Sequence, residues 1–224
     1  MKLNDYFDQI ICINLDRRKD RWEESQLQFS KHNIKVKRYS AVDGNPMGWD
    51  SKNFAGKRTS LNGAMGCIAS HTEVYQLAKE NGWKNVLIIE DDCDFIENLN
   101  EIFEKSIKTL PNDWDLLYFG GVHETRNGKF IPEKFNEYFV KAKRIITTTC
   151  YAVNNTVYDM ILDTVLKNKP YFDCPIDTYL GAYIQPNITT YAYHPPIAWQ
   201  RASHSDIQNA HRDYSNMMKK DNIK

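Results

Sequence analysis

The sequence has no net charge that would direct it to a polyanion. Its 224 residues include 29 Lys plus Arg and 29 Asp plus Glu. This balance argues against bulk electrostatic attraction to nucleic acid or to an anionic membrane. No stretch approaches the roughly 20 apolar residues that cross a bilayer. Asp5 and Asp8 also interrupt the first apolar segment, so we expect a cytoplasmic protein with neither a signal peptide nor a transmembrane segment.

Cysteine is sparse and irregularly placed. None of the five cysteines forms a Cys-x-x-Cys pair, so their spacing argues against a structural zinc site. An odd count favours reduced thiols over a disulfide framework. These positions are Cys12, Cys67, Cys93, Cys150 and Cys174.

A Gly-x-Gly-x-x-Gly fingerprint is missing, which disfavours a dinucleotide-binding fold. Internal repeats and low-complexity tracts are missing too. The length suits one domain with a full core. We therefore predict a single catalytic domain over residues 1–214, followed by a frayed C-terminal tail at 215–224.

Apolar runs that alternate with segments of helical spacing predict an α/β fold. The opening strand, helix and strand are typical of a nucleotide-binding βαβ start. Predicted strands cover residues 10–15, 35–44, 86–89, 116–119, 138–146, 150–153 and 189–193. Predicted helices cover residues 16–33, 62–81, 99–110, 156–166 and 176–183.

An acidic cluster follows the strand at 86–89. Glu90, Asp91, Asp92 and Asp94 lie within five residues, and such carboxylates repel one another unless a cation or protons hold them together. All-oxygen ligation favours Mg²⁺ or Mn²⁺ over zinc. One alternative is a solvated acidic loop at a helix N-terminus. Another is an aspartyl-phosphate site, which needs a Lys and a hydroxyl residue on later strands.

Six motifs occur in order along the chain: INLDRRKDR at 13–21, YSAVDG at 39–44, GAMGCIASH at 63–71, VLIIEDD at 86–92, PID at 175–177 and SDI at 205–207. Together they resemble the motifs of the family 25 glycosyltransferases, which include bacterial lipooligosaccharide and procollagen galactosyltransferases. The resemblance implies a GT-A-like fold with a mixed, mostly parallel central sheet flanked by helices. It also implies a UDP-sugar donor, Mn²⁺ or Mg²⁺, inversion at the anomeric carbon, and a glycan, glycolipid or glycoprotein acceptor.

The resemblance favours Asp92 as a direct metal ligand. Asp94 is the alternative ligand in an Asp-x-Asp frame, and His194 is the expected third ligand. Glu90 or Asp91 would then hold the ribose or a coordinated water. A histidine beside prolines is also common as a packed loop residue, and both interpretations of His194 stay open.

The remaining donor-binding residues are expected on other elements. Asn14, Arg17 and Arg21 follow the first strand and suit uridine, ribose or phosphate, unless the two arginines lie on an exposed helix face. Asp43 suits a ribose hydroxyl or a simple turn. The resemblance gives Ser70 and His71 a donor contact, although His71 equally suits a role in bracing the sheet.

The reaction needs a base for the acceptor hydroxyl. Asp177 is the first choice, with Asp115 and Glu124 in reserve. Residues 203–206 are expected to close over the diphosphate or the acceptor, and the loop at 44–60 is a candidate lid. The sequence thus predicts a metal-dependent hexosyltransferase. The alternatives are a metal-dependent phosphotransfer enzyme and a degenerate, non-catalytic glycan-binding module.

Overall fold

The structure is a computed structural model that describes residues 1–47, 61–125, 129–167 and 174–219. Within these ranges the strands are β1 (Gln9–Asn14), β2 (Lys37–Ser40), β3 (Asn85–Glu90), β4 (Cys93–Phe95), β5 (Leu116–His123), β6 (Glu133–Lys134), β7 (Phe139–Lys141), β8 (Ile145–Asn154), β9 (Thr190–Tyr193), β10 (Ala198–Gln200), β11 (Ser203–Ser205) and β12 (Ala210–Arg212).

The α-helices of the same ranges are α1 (Leu3–Tyr6), α2 (Lys19–Lys31), α3 (Leu61–Glu80), α4 (Leu99–Ser106), α5 (Tyr158–Lys167), α6 (Ile176–Tyr179) and α7 (Ser215–Lys219). A π-helical turn, Leu180–Ile184, continues α6. None of these helices has the length and apolar character that crossing a membrane requires.

Eight strands form one mixed sheet in the order β2-β1-β3-β8-β5-β9-β7-β6. The pairs β1–β2, β1–β3 and β5–β9 are parallel. Strand β8 runs antiparallel to both of its neighbours, and β7 runs antiparallel to β9. Most strands therefore point the same way, and the predicted α/β fold with a mixed, mostly parallel sheet is confirmed.

The sheet buries a core on each face. Along β3, Val86 and Ile88 contact the layer that contains α3 and α5, whereas Leu87 and Ile89 contact the layer that contains α2 and α4. This alternation follows from the period of two in an extended strand, and burial on both faces explains why β3 reads as one continuous apolar run. Helix α3 is buried at Tyr75 among others, as expected from its spacing.

Several elements differ from the sequence prediction. Helix α2 spans Lys19–Lys31, which is shorter than the predicted helix at 16–33, and its Leu27 is 72% exposed. The two strands predicted at 138–146 and 150–153 have different limits, because β8 runs continuously from Ile145 to Asn154. Strands β10, β11 and β12 were not predicted, since each has three residues and a weak pattern. At the expected frayed end, α7 forms and Met218 is buried, while 220–224 lie outside the described residues.

Parallel strands bring their carboxyl ends to one edge of the sheet. At this edge β1 ends at Asn14, β2 at Ser40 and β3 at Glu90. Ligands of open α/β sheets bind beyond these strand ends. A two-stranded ribbon of β4 and β10 then directs the chain after Gln200 back toward the same edge.

Candidate functional site

A cavity that is open to solvent lies at this carboxyl edge. It is lined by residues from β1, the start of α2, the loop after β2, α3, the end of β3 and the segment 200–207. The lining includes eight residues that the sequence analysis selected, namely Arg17, Arg21, Asp43, Ser70, His71, Glu90, Asp91 and Asp92. One cavity thus combines most of the selected side chains, and these eight come from four segments of the chain.

Arg21 organises the acidic turn after β3. Its Nη1 lies 2.8 Å from Asp91 Oδ1 and 3.2 Å from Asp92 Oδ2. Its Nη2 donates to Ser203 Oγ at 2.7 Å and to the carbonyl of His204 at 2.9 Å. Arg21 is buried, so the exposed helix face is wrong for this residue. A buried guanidinium with both ends bonded is a fixed positive charge in the cavity wall.

Asp91 is held from two further sides. The buried amide of Asn14 donates to Asp91 Oδ2 at 2.7 Å, and Ser25 Oγ donates to the Asp91 carbonyl at 2.8 Å. Burial raises the pKa of Asp91, and the charge of Arg21 and the bond from Asn14 oppose this. Asn14 does not line the cavity, so its contribution is to orient Asp91.

Asp92 is different, because one of its oxygens is unused. Oδ2 accepts from Gln200 Nε2 at 2.9 Å. Oδ1 is buried and has no hydrogen-bond partner among the described residues. Burial raises the pKa of Asp92 to about 7, opposed by Arg21 and supported by the charges of Glu90 and Asp91. A buried carboxylate oxygen without a partner has the character of a ligand for a hard divalent cation.

Glu90 ends β3 and contacts a buried polar chain. Its Oε1 accepts from Thr148 Oγ1 at 2.7 Å and lies 3.3 Å from His71 Nε2. His71 Nδ1 is 2.8 Å from the hydroxyl of Tyr151, which also contacts the hydroxyl of Tyr75. Burial would raise the pKa of Glu90, but the bonds and charges of His71, Thr148 and Arg21 lower it. Glu90 is therefore an anion in the cavity.

Ser70 and two glycines attach the loop after β2 to helix α3. Ser70 Oγ accepts from the Val42 amide at 2.9 Å and donates to the Gly66 carbonyl at 2.7 Å. A Cβ on Gly44 would lie 1.7 Å from the Asn62 carbonyl oxygen, so the loop and the helix touch through their backbones. Ser70 thus shapes this wall of the cavity.

The mouth of the cavity carries exposed ion pairs. Arg17 bonds Asp43 at 2.9 Å and Asp206 at 2.6 Å. Arg18 also bonds Asp206 at 2.6 Å. Asp206 therefore connects the late segment 203–206 to the start of α2, and Ser205 and Asp206 line the cavity. Residues 48–60 of the candidate lid lie outside the described residues.

Asp177 lies beside the cavity rather than in its lining. Its carboxylate accepts from the Thr147 amide at 3.1 Å and from the Thr178 amide at 2.6 Å. Burial raises its pKa, and the charge of Glu90 contributes to the increase. Thr147 adopts a positive φ of 75°, where β8 bulges against β5. A β-branched residue in this conformation is strained, and the bulge directs its amide toward Asp177.

Two selected residues lie elsewhere. Asp94 is on β4, half-buried, with Arg201 Nε 3.4 Å from its Oδ1. His194 lines a separate pocket with His123, Tyr193 and Met218. Neither lines the cavity that contains Asp92. The arrangement thus brings Asp92 together with Glu90 and Asp91, and not with Asp94 or His194.

The reserve bases are also separated from the cavity. Asp115 precedes β5 at the opposite edge of the sheet, where it accepts from the Thr189 amide at 2.8 Å. Glu124 follows β5 and forms an ion pair with Arg144. Sequence reasoning did not select Gln200, whose partner Asp92 lies 108 positions away. No local sequence signal reports contacts of this range.

An α/β sheet with a cavity of carboxylates and arginines at its strand ends defines a ligand-binding α/β domain. Residues 7–180 match the family model described as "Glycosyltransferase family 25 (LPS biosynthesis protein)". The match covers more than half of the chain, and the protein belongs to glycosyltransferase family 25.

Curated relatives include active and inactive members. Procollagen galactosyltransferase 2 of Mus musculus is 30% identical over 129 residues, covering 51% of this chain and 21% of the relative. The inactive glycosyltransferase 25 family member 3 of Homo sapiens is 29% identical over 130 residues, covering 51% and 22%. The matched region thus spans about a fifth of these relatives' length.

One similar solved structure is described as a glycosyltransferase involved in the glycosylation of the major capsid of PBCV-1. It has a TM-score of 0.48 and 12% identity, and the alignment covers 80% of this chain and 76% of that chain.

Proposed function

We propose that this domain transfers a hexose from a UDP-sugar to a hydroxyl of a glycan or glycosylated acceptor, with inversion and with a divalent cation. Membership of family 25 supports the transferase class. The observation that carries the donor and metal assignments is the buried, unpartnered Asp92 Oδ1 inside the cavity.

The residues present fit a divalent cation. Asp91 and Asp92 share the single guanidinium of Arg21, and Glu90 adds a further anion to the same wall. The cavity therefore has more negative than positive charge next to an oxygen with no partner. Asp92 would hold the ion, which when bound neutralises charge on the leaving diphosphate. Asp94 and His194 are not part of this proposal, since they lie outside the cavity.

The other residues of the cavity bind and orient the donor. Arg17 and Asp43 at the mouth suit phosphate and ribose, respectively. Asn14 and Arg21 fix Asp91, so that its carboxylate keeps one orientation. Ser70 holds the loop that carries Asp43. These hydrogen bonds already order the side chains of the cavity, so less conformational entropy is lost when the donor binds.

Asp177 serves as the base for the acceptor hydroxyl. Two backbone amides fix its carboxylate, and burial raises its pKa, which makes it a better proton acceptor. In the transfer, the acceptor oxygen forms a bond to the anomeric carbon as the bond to the UDP oxygen breaks. The hydroxyl proton passes to Asp177.

Thermal shift with a panel of UDP-galactose, UDP-glucose, UDP-N-acetylglucosamine, GDP-mannose and CMP-sialic acid, each with and without Mn²⁺, tests this assignment. We expect a Mn²⁺-dependent increase in Tm with a UDP-sugar, and loss of that increase in Asp92→Asn. Asp94→Asn is the matched control, because Asp94 is the neighbouring acid outside the cavity, and it should keep the increase.

Product analysis then separates an enzyme from a binding module. Release of UDP with a glycosylated acceptor supports transfer. Binding of UDP-sugar and Mn²⁺ without transfer to any glycan acceptor would instead place the protein with inactive relatives such as the human family member 3. No UDP response, with a trapped phosphoryl group, would favour phosphotransfer.

A further inference from the structure

Three potential metal ligands of different chemistry meet in one wall of the cavity. Cys67 and His71 lie one turn apart on the same face of α3, and Glu90 ends the neighbouring strand β3. The Cys67 sulfur, a ring nitrogen of His71 and a carboxylate oxygen of Glu90 lie within 4.8 Å of one another. The proposed function uses none of them as a metal ligand.

The distances suit a small tetrahedral ion. With metal–nitrogen and metal–oxygen bonds near 2.0 Å, a tetrahedral site separates these two ligands by about 3.3 Å. His71 Nε2 and Glu90 Oε1 are 3.3 Å apart. The longer metal–sulfur bond of about 2.3 Å requires a sulfur separation of roughly 3.6 Å. The Cys67 sulfur lies within 4.8 Å of the other two ligand atoms, so a displacement of the sulfur by about 1 Å completes the three-ligand face.

The surroundings already orient two of the ligands. His71 Nδ1 is 2.8 Å from the Tyr151 hydroxyl, so donation of Nδ1–H to that oxygen leaves the Nε2 lone pair facing Glu90 and Cys67. Thr148 donates to Glu90 at 2.7 Å. Hydrogen bonds of this kind, behind a histidine and a carboxylate, fix their geometry at metal centres.

We propose that Cys67, His71 and Glu90 form a binding site for Zn²⁺ or a similar thiophilic divalent cation. The sulfur and nitrogen ligands distinguish this site from the all-oxygen site at Asp92, which prefers Mn²⁺ or Mg²⁺. Three protein ligands leave a fourth position, and the site lines the cavity, so that position faces the bound ligand or water. Zinc here occupies cavity space and neutralises Glu90.

Cobalt is the spectroscopic probe, because Co²⁺ replaces Zn²⁺ and a cobalt–thiolate bond gives a charge-transfer absorption in the near ultraviolet. Titration of the whole metal-free chain with Co²⁺ should produce this band, and Zn²⁺ should displace it. Cys67→Ser should lose the band and bind Co²⁺ more than about tenfold more weakly. Cys174→Ser, a matched control at another half-buried cysteine, should keep it, as should Asp92→Asn.

A second measurement uses the unmodified protein, in case Cys67→Ser does not fold. Alkylation by iodoacetamide, followed by peptide mass spectrometry, should show Zn²⁺ slowing modification of Cys67 by roughly tenfold or more and leaving Cys174 unchanged. Absence of a thiolate band in the wild type, an unchanged band in Cys67→Ser, or equal alkylation of Cys67 with and without Zn²⁺ would each overturn the proposal. None of these outcomes depends on transferase activity.

Discussion

Arg21 Nη1 lies between two consecutive carboxylates, 2.8 Å from Asp91 and 3.2 Å from Asp92. One cation serving two buried anions leaves a deficit of positive charge. Opposite charge lowers the pKa of a carboxyl and burial raises it, and at Asp92 burial dominates. The stability of the turn after β3 therefore depends on Arg21. When a divalent cation is bound at Asp92, the turn should depend less on the charge of Arg21.

Arg21→Met should destabilise the metal-free protein by about 3–5 kcal/mol, because it leaves buried carboxylates without their counter-charge. Urea unfolding followed by circular dichroism measures this. Adding Mn²⁺ should restore part of the loss if the ion binds at Asp92.

Arg17→Met is the matched control for that experiment. Arg17 also contacts two carboxylates, but its side chain is 39% exposed. Exposed pairs contribute at most about 1 kcal/mol, so we expect a small effect and no response to Mn²⁺. Equal destabilisation by both variants would show that the buried Arg21 contributes no more to stability than the exposed Arg17.

Gly44→Ala should distort the cavity wall. The new Cβ would lie 1.7 Å from the Asn62 carbonyl oxygen, so the loop after β2 must move away from α3. Such overpacking typically costs about 1–3 kcal/mol. Isothermal titration calorimetry should also show weaker binding of UDP with Mn²⁺, because the displaced loop carries Asp43.

Gly82→Ala provides the comparison. Gly82 has a φ of +67° and open space around its Cβ position. Alanine there should cost about 1 kcal/mol through backbone strain alone, and ligand affinity should not change. A loss of affinity in both variants would mean that reduced stability, and not the shape of the cavity, explains the Gly44 result.

Asp177→Asn should lower kcat by about 10²–10⁴-fold, the usual contribution of a positioned base. The affinity for UDP with Mn²⁺ should be unchanged, since Asp177 does not line the donor cavity. Asp115→Asn, at the opposite edge of the sheet, should leave kcat unchanged in folded protein. A normal kcat in Asp177→Asn would remove this residue from the mechanism.

His123 should make the protein less stable in acid. Burial, aided by the charge of His194, lowers the pKa of His123 from 6.5 to about 4. Between these pH values the unfolded chain binds a proton that the folded chain does not, so stability decreases as the pH falls through this window. The loss is at most about 3 kcal/mol, reduced by partial solvent access.

Unfolding of His123→Gln as a function of pH tests this expectation. The variant should show a smaller decrease in stability between about pH 6.5 and about pH 4. His211→Gln, which alters an exposed histidine, should follow the wild type. Parallel curves for wild type and His123→Gln would contradict the assignment.

Long periodic elements were predictable from sequence. Helix α3 was expected at 62–81 and spans Leu61–Glu80, and β3 was expected at 86–89 and spans Asn85–Glu90. Both have dense apolar patterns and clear ends. Strand β8 was divided in the prediction, because the polar residues at 147–149 interrupt its pattern. In the structure these residues form the bulge that donates hydrogen bonds to Glu90 and Asp177.

The cavity was partly predictable. Eight selected residues line it, because the carboxyl ends of parallel strands must meet at one edge. The pairing of Arg21 with Asp91 spans 70 positions, and that of Gln200 with Asp92 spans 108. Such pairs depend on how α2 and β10 pack on the sheet, which local spacing does not encode. The separation of His194 from Asp92 depends on tertiary packing in the same way.

The ribbon formed by β4 and β10 has a consequence for the order of folding. It joins residues about a hundred positions apart, and it positions the segment that bonds Arg21 through Ser203 and His204. Contacts of such long range form late, because closing a large loop costs entropy before the contact forms. A chain emerging from the ribosome therefore cannot complete its cavity until residue 207 is available, and recovery of ligand binding during refolding should lag behind recovery of the central sheet.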